Sequence, residues 1–143
     1  MLPIAILAGG LGTRLRPITE TIPKSLVDVA GEPFIAHQLK GLARQGIEDV
    51  VLCVGYLGEQ IEEFVQDGSE YGVRVRYSYD TQKLLGTGGA LKNALSLLGD
   101  IFFVQYGDSW LEIDYHSVYE CFHNSCCSAL MTVFSNDGRW DTS

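Results

Sequence analysis

The sequence predicts an α/β fold built on a largely parallel sheet, and three observations carry that expectation. Apolar strand-like runs alternate with helix-period segments from one end of the chain to the other. Two of those runs, residues 3–8 and 49–54, are apolar almost throughout, as a parallel strand covered on both faces has to be. At 143 residues with 46% hydrophobic side chains, the chain is long enough to bury the core such a sheet requires, within one domain over residues 1–143.

The first strand, residues 3–8, breaks into Gly9, Gly10 and Gly12. A loop without side-chain bulk lets backbone N–H groups close around an anion, most often a phosphate. Arg14 and Arg16 follow at once, and Pro23-Lys24-Ser25 comes one loop later, so positive charge gathers beside that hollow. Residues 10–31 read as a long irregular passage, which in a compact domain is usually functional. Glu32-Pro33 then opens a helix, with proline in its first turn. Ile35, Leu39 and Leu42 give its stripe and Gly46 ends it.

Residues 49–54 are the second buried strand. Leu57, Ile61, Phe64 and Val65 mark a short amphipathic helix reaching about Asp67. Residues 73–79 alternate, with Val73, Val75, Tyr77 and Tyr79 on one face and Arg74, Arg76 and Ser78 on the other. That pattern predicts a half-exposed strand at a sheet edge. Gly86-Thr87-Gly88-Gly89 opens the next helix, whose inward residues are Leu91, Ala94, Leu95 and Leu98. Residues 101–106 form a central strand running into Gly107-Asp108-Ser109. Tyr115, Val118, Tyr119 and Phe122 mark another helix, and 128–134 a last strand.

Right-handed crossovers and an edge strand at 73–79 give a Rossmann-like sheet with helices on both faces and strand order 3-2-1-4. Ligands in such sheets bind outside the carboxyl ends of the strands where the order reverses. The glycine loop and Asp108 stand at those two ends. Two separate features therefore converge on one cleft.

Composition narrows the partners. A net charge of −8 opposes nucleic-acid binding, so an anionic ligand has to be held by the few positive groups near the first loop. No apolar run reaches membrane-spanning length, and Met1 runs directly into a strand without a leader pattern, so the expected location is cytoplasmic, with no membrane partner. Cys53 sits in an apolar strand as a small hydrophobe. Cys121, Cys126 and Cys127 lie near His116 and His123 but lack zinc spacing, so neither a zinc site nor a disulfide framework is expected.

The glycine loop is neither of two well-known phosphate loops. A Walker A loop requires a lysine after its glycines, and none follows Gly12. The dinucleotide fingerprint fits Gly10 and Gly12 but meets Leu15 at its third position. The strand ending Cys53-Val54-Gly55 also supplies no acid for a ribose, which counts against a dehydrogenase.

What the stretch resembles is the signature of sugar-1-phosphate nucleotidylyltransferases, which stands here as Gly9-Gly10-Leu11-Gly12-Thr13-Arg14-Leu15-Arg16-Pro17-Ile18-Thr19 with Pro23-Lys24. The resemblance implies the nucleotide-diphospho-sugar transferase fold. It also implies a magnesium-dependent reaction in which a sugar 1-phosphate and a nucleoside triphosphate give a nucleotide sugar and pyrophosphate. By the same resemblance Arg14 clamps the leaving pyrophosphate, Lys24 lies near the α-phosphate and the sugar phosphate, and Asp108 binds magnesium. Leu7, Ala8, Gly9, Gly10, Gly12 and Thr13 line the nucleotide. Gly55, Gly86, Thr87, Gly88 and Gly89 belong to the base pocket, with a helix cap as the alternative reading of Thr87. Tyr56 reads as pocket or as packing, and Tyr79-Asp80 precedes the base loop as a further candidate.

Leu85-Gly86-Thr87-Gly88-Gly89-Ala90-Leu91 and Gly107-Asp108-Ser109-Trp110-Leu111 look most like heptose- or mannose-1-phosphate guanylyltransferases, and muramic-acid-type uridylyltransferases look similar there. GTP is the favoured triphosphate. Members of the family usually continue with further strands that build the sugar site and supply a second metal-binding aspartate, so the sequence reads as incomplete at its C-terminus. The polar stretch Gly138-Arg139-Trp140-Asp141-Thr142-Ser143 carries no stop signal. An unpaired sheet flank is then a candidate for self-association into a homo-oligomer. A non-catalytic nucleotide-binding regulator or scaffold, or an inactive fragment, is the alternative.

Overall fold

The computed structural model describes residues 1–80 and 84–135, which fall into two compact units, Met1–Leu111 and Glu112–Ser143. In the first unit, β1 (Ile4–Leu7) leads through a series of single 3-10 turns to a small hairpin, β2 (Asp28–Val29) and β3 (Glu32–Pro33). Then follow α1 (Phe34–Arg44), β4 (Asp49–Val54), α2 (Gly58–Val65), β5 (Arg74–Tyr79), α3 (Gly86–Leu98) and β6 (Phe103–Tyr106). The four long strands form one parallel sheet in the order β5-β4-β1-β6, the expected 3-2-1-4.

Alternation along the strands divides the core between two faces. Ala5, Val51 and Cys53 pack with Ala94 and Leu98 of α3, joined by Leu7, Ala90, Leu91 and Leu97. Ile4, Ile6, Val50, Leu52 and Val54 point the other way and are fully buried. On that side α2 meets the sheet at Gly58, where an added methyl would stand 3.0 Å from Val54 Cβ. The helices bury Ile35, Leu39 and Leu42 of α1 and Ile61 and Val65 of α2.

Several elements depart from the sequence reading. The passage over 10–31 is not structureless: three 3-10 turns, Thr13–Leu15, Ile18–Glu20 and Lys24–Leu26, give it local hydrogen bonds. Glu32 and Pro33 pair with Val29 and Asp28 in the hairpin, and the helix starts one residue later at Phe34. In α3 Leu95 is exposed and Leu97 is half-buried, because the stripe follows Ala90, Ala94 and Leu98. β5 borders the sheet as expected, but its second face is open only at Arg74 and closes toward the strand's end. Ser78 is buried under α3, whose Asn93 Nδ2 donates to Ser78 Oγ at 3.2 Å.

The strand at 101–106 is shorter than expected and borders the described sheet instead of lying at its centre, leaving Val104 and Tyr106 exposed. The second unit holds α4 (Tyr115–His123), capped by the Asp114 carboxylate, which accepts from the His116 N–H at 2.9 Å. No strand forms over 128–134. Met131, Val133 and Phe134 are largely exposed there, and strand propensity is realised only when a neighbouring ladder is present. The stretch 138–143 lies outside the described residues.

Candidate functional site

Parallel register brings the carboxyl ends of the strands level. Leu7, the last residue of β1, stands between Cys53 of β4 and Tyr106 of β6. The chain order reverses there, so the loops leaving β1 and β6 splay apart and open a cleft of about 380 Å³.

One side of the cleft is backbone. Ala8 N–H donates to Cys53 O at 2.8 Å, and from Gly9 to Thr13 the N–H groups meet no protein acceptor among the described residues. Polar backbone left in this way at a strand end favours an anion. Gly12 turns the loop in the left-handed region at φ 59°. A methyl on it would lie 3.0 Å from Thr19 Cγ2 and 3.2 Å from Lys24 Cβ, so only glycine fits. Thr19, itself 1% exposed, donates its hydroxyl to Gly12 O at 2.8 Å and fixes the bend from behind. Arg14 follows in the first 3-10 turn and also lines the cleft.

The other side is charged. Buried Pro23 holds an extended conformation at φ −62° and delivers Lys24 at the start of the next turn. Lys24 Nζ donates to Asp108 Oδ2 at 2.7 Å across 84 positions of sequence. That hydrogen bond holds the Asp108 carboxyl below the usual aspartate value, against the upward push of partial burial. Ser109 Oγ lies 3.5 Å from the other carboxylate oxygen.

Gly107 joins the two sides. Its N–H donates to Leu7 O at 2.9 Å, and a methyl there would approach that same oxygen to 2.7 Å.

The cleft is lined by the expected Leu7, Ala8, Gly9, Gly10, Gly12, Thr13, Arg14, Lys24, Gly86, Thr87 and Asp108. Gly55, Gly88 and Gly89 are not in its lining. Gly55 sits behind the first loop, where its methyl would meet Gly9 O at 3.0 Å, and Gly89 backs onto Leu85. Thr87 is not a cap, because α3 begins at Gly86 with Leu85 before it and no side-chain bond. Tyr56 is packing: its hydroxyl donates to Glu20 O at 3.0 Å, stapling the second 3-10 turn.

The lining also includes Cys53, Leu84 and Tyr106, to which no motif assigns a role, Ser25 and Ala90, which stand inside the Pro23-Lys24-Ser25 and Gly86–Ala90 stretches without an assigned role, and Asp80, a weaker candidate beside the base loop. Asp80 Oδ2 accepts from Leu85 N–H at 3.1 Å, tying the end of β5 to the start of α3. Burial, with Asp80 nearby, pushes the Cys53 thiol up to about 11, so it stays protonated and inert. Ser25 Oγ is buried without a partner among the described residues.

Asp108 offers hard oxygen donors of the kind magnesium takes, and that ion is commonly held by one or two carboxylates together with substrate phosphates. One carboxylate beside a phosphate-sized backbone cradle fits that mode. No group of three or more His, Cys, Asp and Glu gathers among the described residues. No helix among them is long and apolar enough to cross a membrane.

The chain is 43% identical over 116 residues to N-acetylmuramate alpha-1-phosphate uridylyltransferase of Neisseria meningitidis, an alignment covering 80% of this chain and 50% of that protein. It is 39% identical over 109 residues to D-glycero-alpha-D-manno-heptose 1-phosphate guanylyltransferase of Campylobacter jejuni, covering 76% of this chain and 48% of the relative. The crystal structure of HddC from Yersinia pseudotuberculosis complexed with GMP-PN superimposes with a TM-score of 0.78 at 35% identity, over 87% of this chain and 55% of the other. The chain thus spans about half the length of the curated relatives it matches. The profile described as nucleotidyl transferase matches residues 4–139, taking in every element around the cleft, and on that ground the chain belongs to the nucleotidyl transferase family.

Proposed function

We propose that this chain supplies the nucleotide-binding part of an enzyme joining a nucleoside triphosphate, with GTP favoured, to a sugar 1-phosphate in a magnesium-dependent reaction. The single observation that carries the reading is the cleft in which the unpaired backbone N–H groups of Gly9 to Thr13 face a site shared by Arg14, Lys24 and Asp108. A phosphate oxygen of the sugar attacks the α-phosphorus, a new P–O bond forms, and the bond to the β-phosphate breaks to release pyrophosphate. No covalent intermediate with the protein is required, so the work is alignment and neutralisation of crowded charge.

Each residue has a part in that scheme. The Gly9 to Thr13 amides cradle the triphosphate, and Arg14 holds the departing pyrophosphate through its forked donors. Lys24, a compact point charge, meets the α-phosphate once it leaves Asp108. Asp108 holds magnesium, which when bound neutralises phosphate oxygens. Gly86 and Thr87 line the cleft on the α3 side, where the base would lie. The relatives include both a guanylyl- and a uridylyltransferase, so the base is a matter for direct measurement.

A thermal-shift panel of GTP, UTP, dTTP, CTP and ATP, with and without magnesium, tests the reading. A ligand at a hundred times its dissociation constant adds about 2.7 kcal/mol, enough to raise the midpoint by several degrees. One triphosphate standing out from the rest, with a clearly larger shift when magnesium is present, is the expected result. No shift from any of them would leave a nucleotide-free scaffold as the better description.

A further inference from the structure

Two buried glutamines converge on the loop that carries Asp108. Gln38, in the middle of α1, is 2% exposed, and its Nε2 donates to Tyr106 O at 3.1 Å and to Ser109 O at 2.9 Å. Gln105 of β6, 4% exposed, donates its own Nε2 to the same Ser109 carbonyl at 3.1 Å. Those two carbonyls bracket Asp108 in the chain. The bend that presents its carboxylate is therefore held from beneath by side-chain amides.

The Gln38 amide has one workable orientation, since turning it over would set its oxygen against two carbonyl oxygens. In that orientation its Oε1 is buried without a partner among the described residues. A stranded buried oxygen is costly, and an apolar side chain of similar length would avoid it. Packing alone does not ask for glutamine here.

The same helix supports the opposite end of the ion pair. The Lys24–Leu26 turn packs on α1, and one helical step from Gln38 the Trp110 ring comes within 3.4 Å of a methyl position on Gly41. Lys24 and Asp108 come from sites 84 positions apart, yet both rest on α1.

We propose that Gln38 is a positioning residue: by tying the carbonyls on both sides of Asp108 to the helix that carries the Lys24 turn, it sets the reach of Asp108 toward a magnesium-bound triphosphate. The inference rests on the magnesium–triphosphate reading of the cleft. It adds a residue that touches neither metal nor nucleotide.

Calorimetric titration of GTP into the parent, Gln38→Met and Asp108→Asn proteins, with and without magnesium, tests it. In the parent, magnesium tightens GTP binding at least about tenfold. In Gln38→Met that tightening falls below about threefold, approaching Asp108→Asn, while metal-free GTP affinity stays within about twofold of the parent. Undiminished tightening in Gln38→Met overturns the proposal, and so does a parallel loss of metal-free affinity, which marks a general packing role. A parent without any tightening defeats the functional reading and this inference together, an outcome distinct from a responsive parent with an indifferent variant. Should Gln38→Met not fold, the parent's own Gln38 side-chain amide resonances decide. They shift when magnesium is added to the GTP complex, and unmoved resonances overturn the proposal.

Discussion

The two sides of the cleft use different materials. The side built on the loop after β1 works through backbone: Gly9 to Thr13 present N–H groups, and Thr19 and Lys24 pass too close to Gly12 for any side chain. The side built on Lys24 and Asp108 works through charge carried on side chains that remain about a third exposed. The first should be sensitive to a single added methyl and indifferent to pH. The second should tolerate changes of shape and respond to charge, pH and salt. A ligand seated in the cleft would therefore be held by two sets of interactions that fail for separate reasons.

The largest expected effect lies where the two sides meet. Gly107→Ala would put a methyl 2.7 Å from Leu7 O, a backbone atom fixed inside the sheet. The strands have to part to accommodate it, and urea denaturation should show a loss of about 3 kcal/mol. A loss near zero would mean that β1 and β6 are less tightly joined than their register implies.

Gly12→Ala comes next. A left-handed backbone at φ 59° costs a non-glycine residue about 1–2 kcal/mol before any contact with Thr19 is counted. Triphosphate affinity should fall with it, equally at pH 5 and pH 8, because nothing that titrates has been altered. An affinity loss confined to one pH would undo the division between the two sides.

Asp108→Asn should scarcely change stability, within about 0.5 kcal/mol at neutral pH, since so exposed an ion pair is screened by solvent. The sign of its pH dependence is fixed. A carboxyl whose folded pKa is lowered contributes stability above its unfolded value of 3.8 and loses it as pH falls through the folded value. The small difference between parent and variant should therefore vanish in acid. Magnesium dependence of nucleotide binding, by contrast, should disappear at neutral pH. A variant that bound magnesium-GTP as the parent does would remove Asp108 from the metal site.

Much of this arrangement was legible in the chain itself. The nearly unbroken apolar runs at 3–8 and 49–54 read as strands covered on both faces, and the strand order followed from right-handed crossovers and the edge strand at 73–79. The glycine signature named the backbone side of the cleft, and the Gly107-Asp108 pair named the charged one. Less legible was anything decided by what a residue meets across the fold. Gly55 has the composition of a ligand loop, yet its freedom from a side chain serves Gly9 O behind the loop. Leu95 fits a helical stripe as well as Leu97 does, and only the tilt of α3 on the sheet chose between them. Residues 128–134 have strand composition but no described strand beside them, and composition alone cannot make a ladder. Gln38 carries no motif at all, Ser25 only follows Pro23-Lys24, and Asp80 is marked by nothing more than its place before the base loop. Their placement depends on partners five to seventy-one positions away or on burial alone.

Thr19 gives the loop after β1 one more property. Its hydroxyl grips the Gly12 carbonyl from within the protein, on the side away from the cleft, so the bend exists before any ligand arrives. The entropy of ordering that segment is lost during folding and is not charged against association. A triphosphate should accordingly meet a receptor already in shape and bind in one kinetic phase, with a rate proportional to its concentration and no slow rearrangement afterwards.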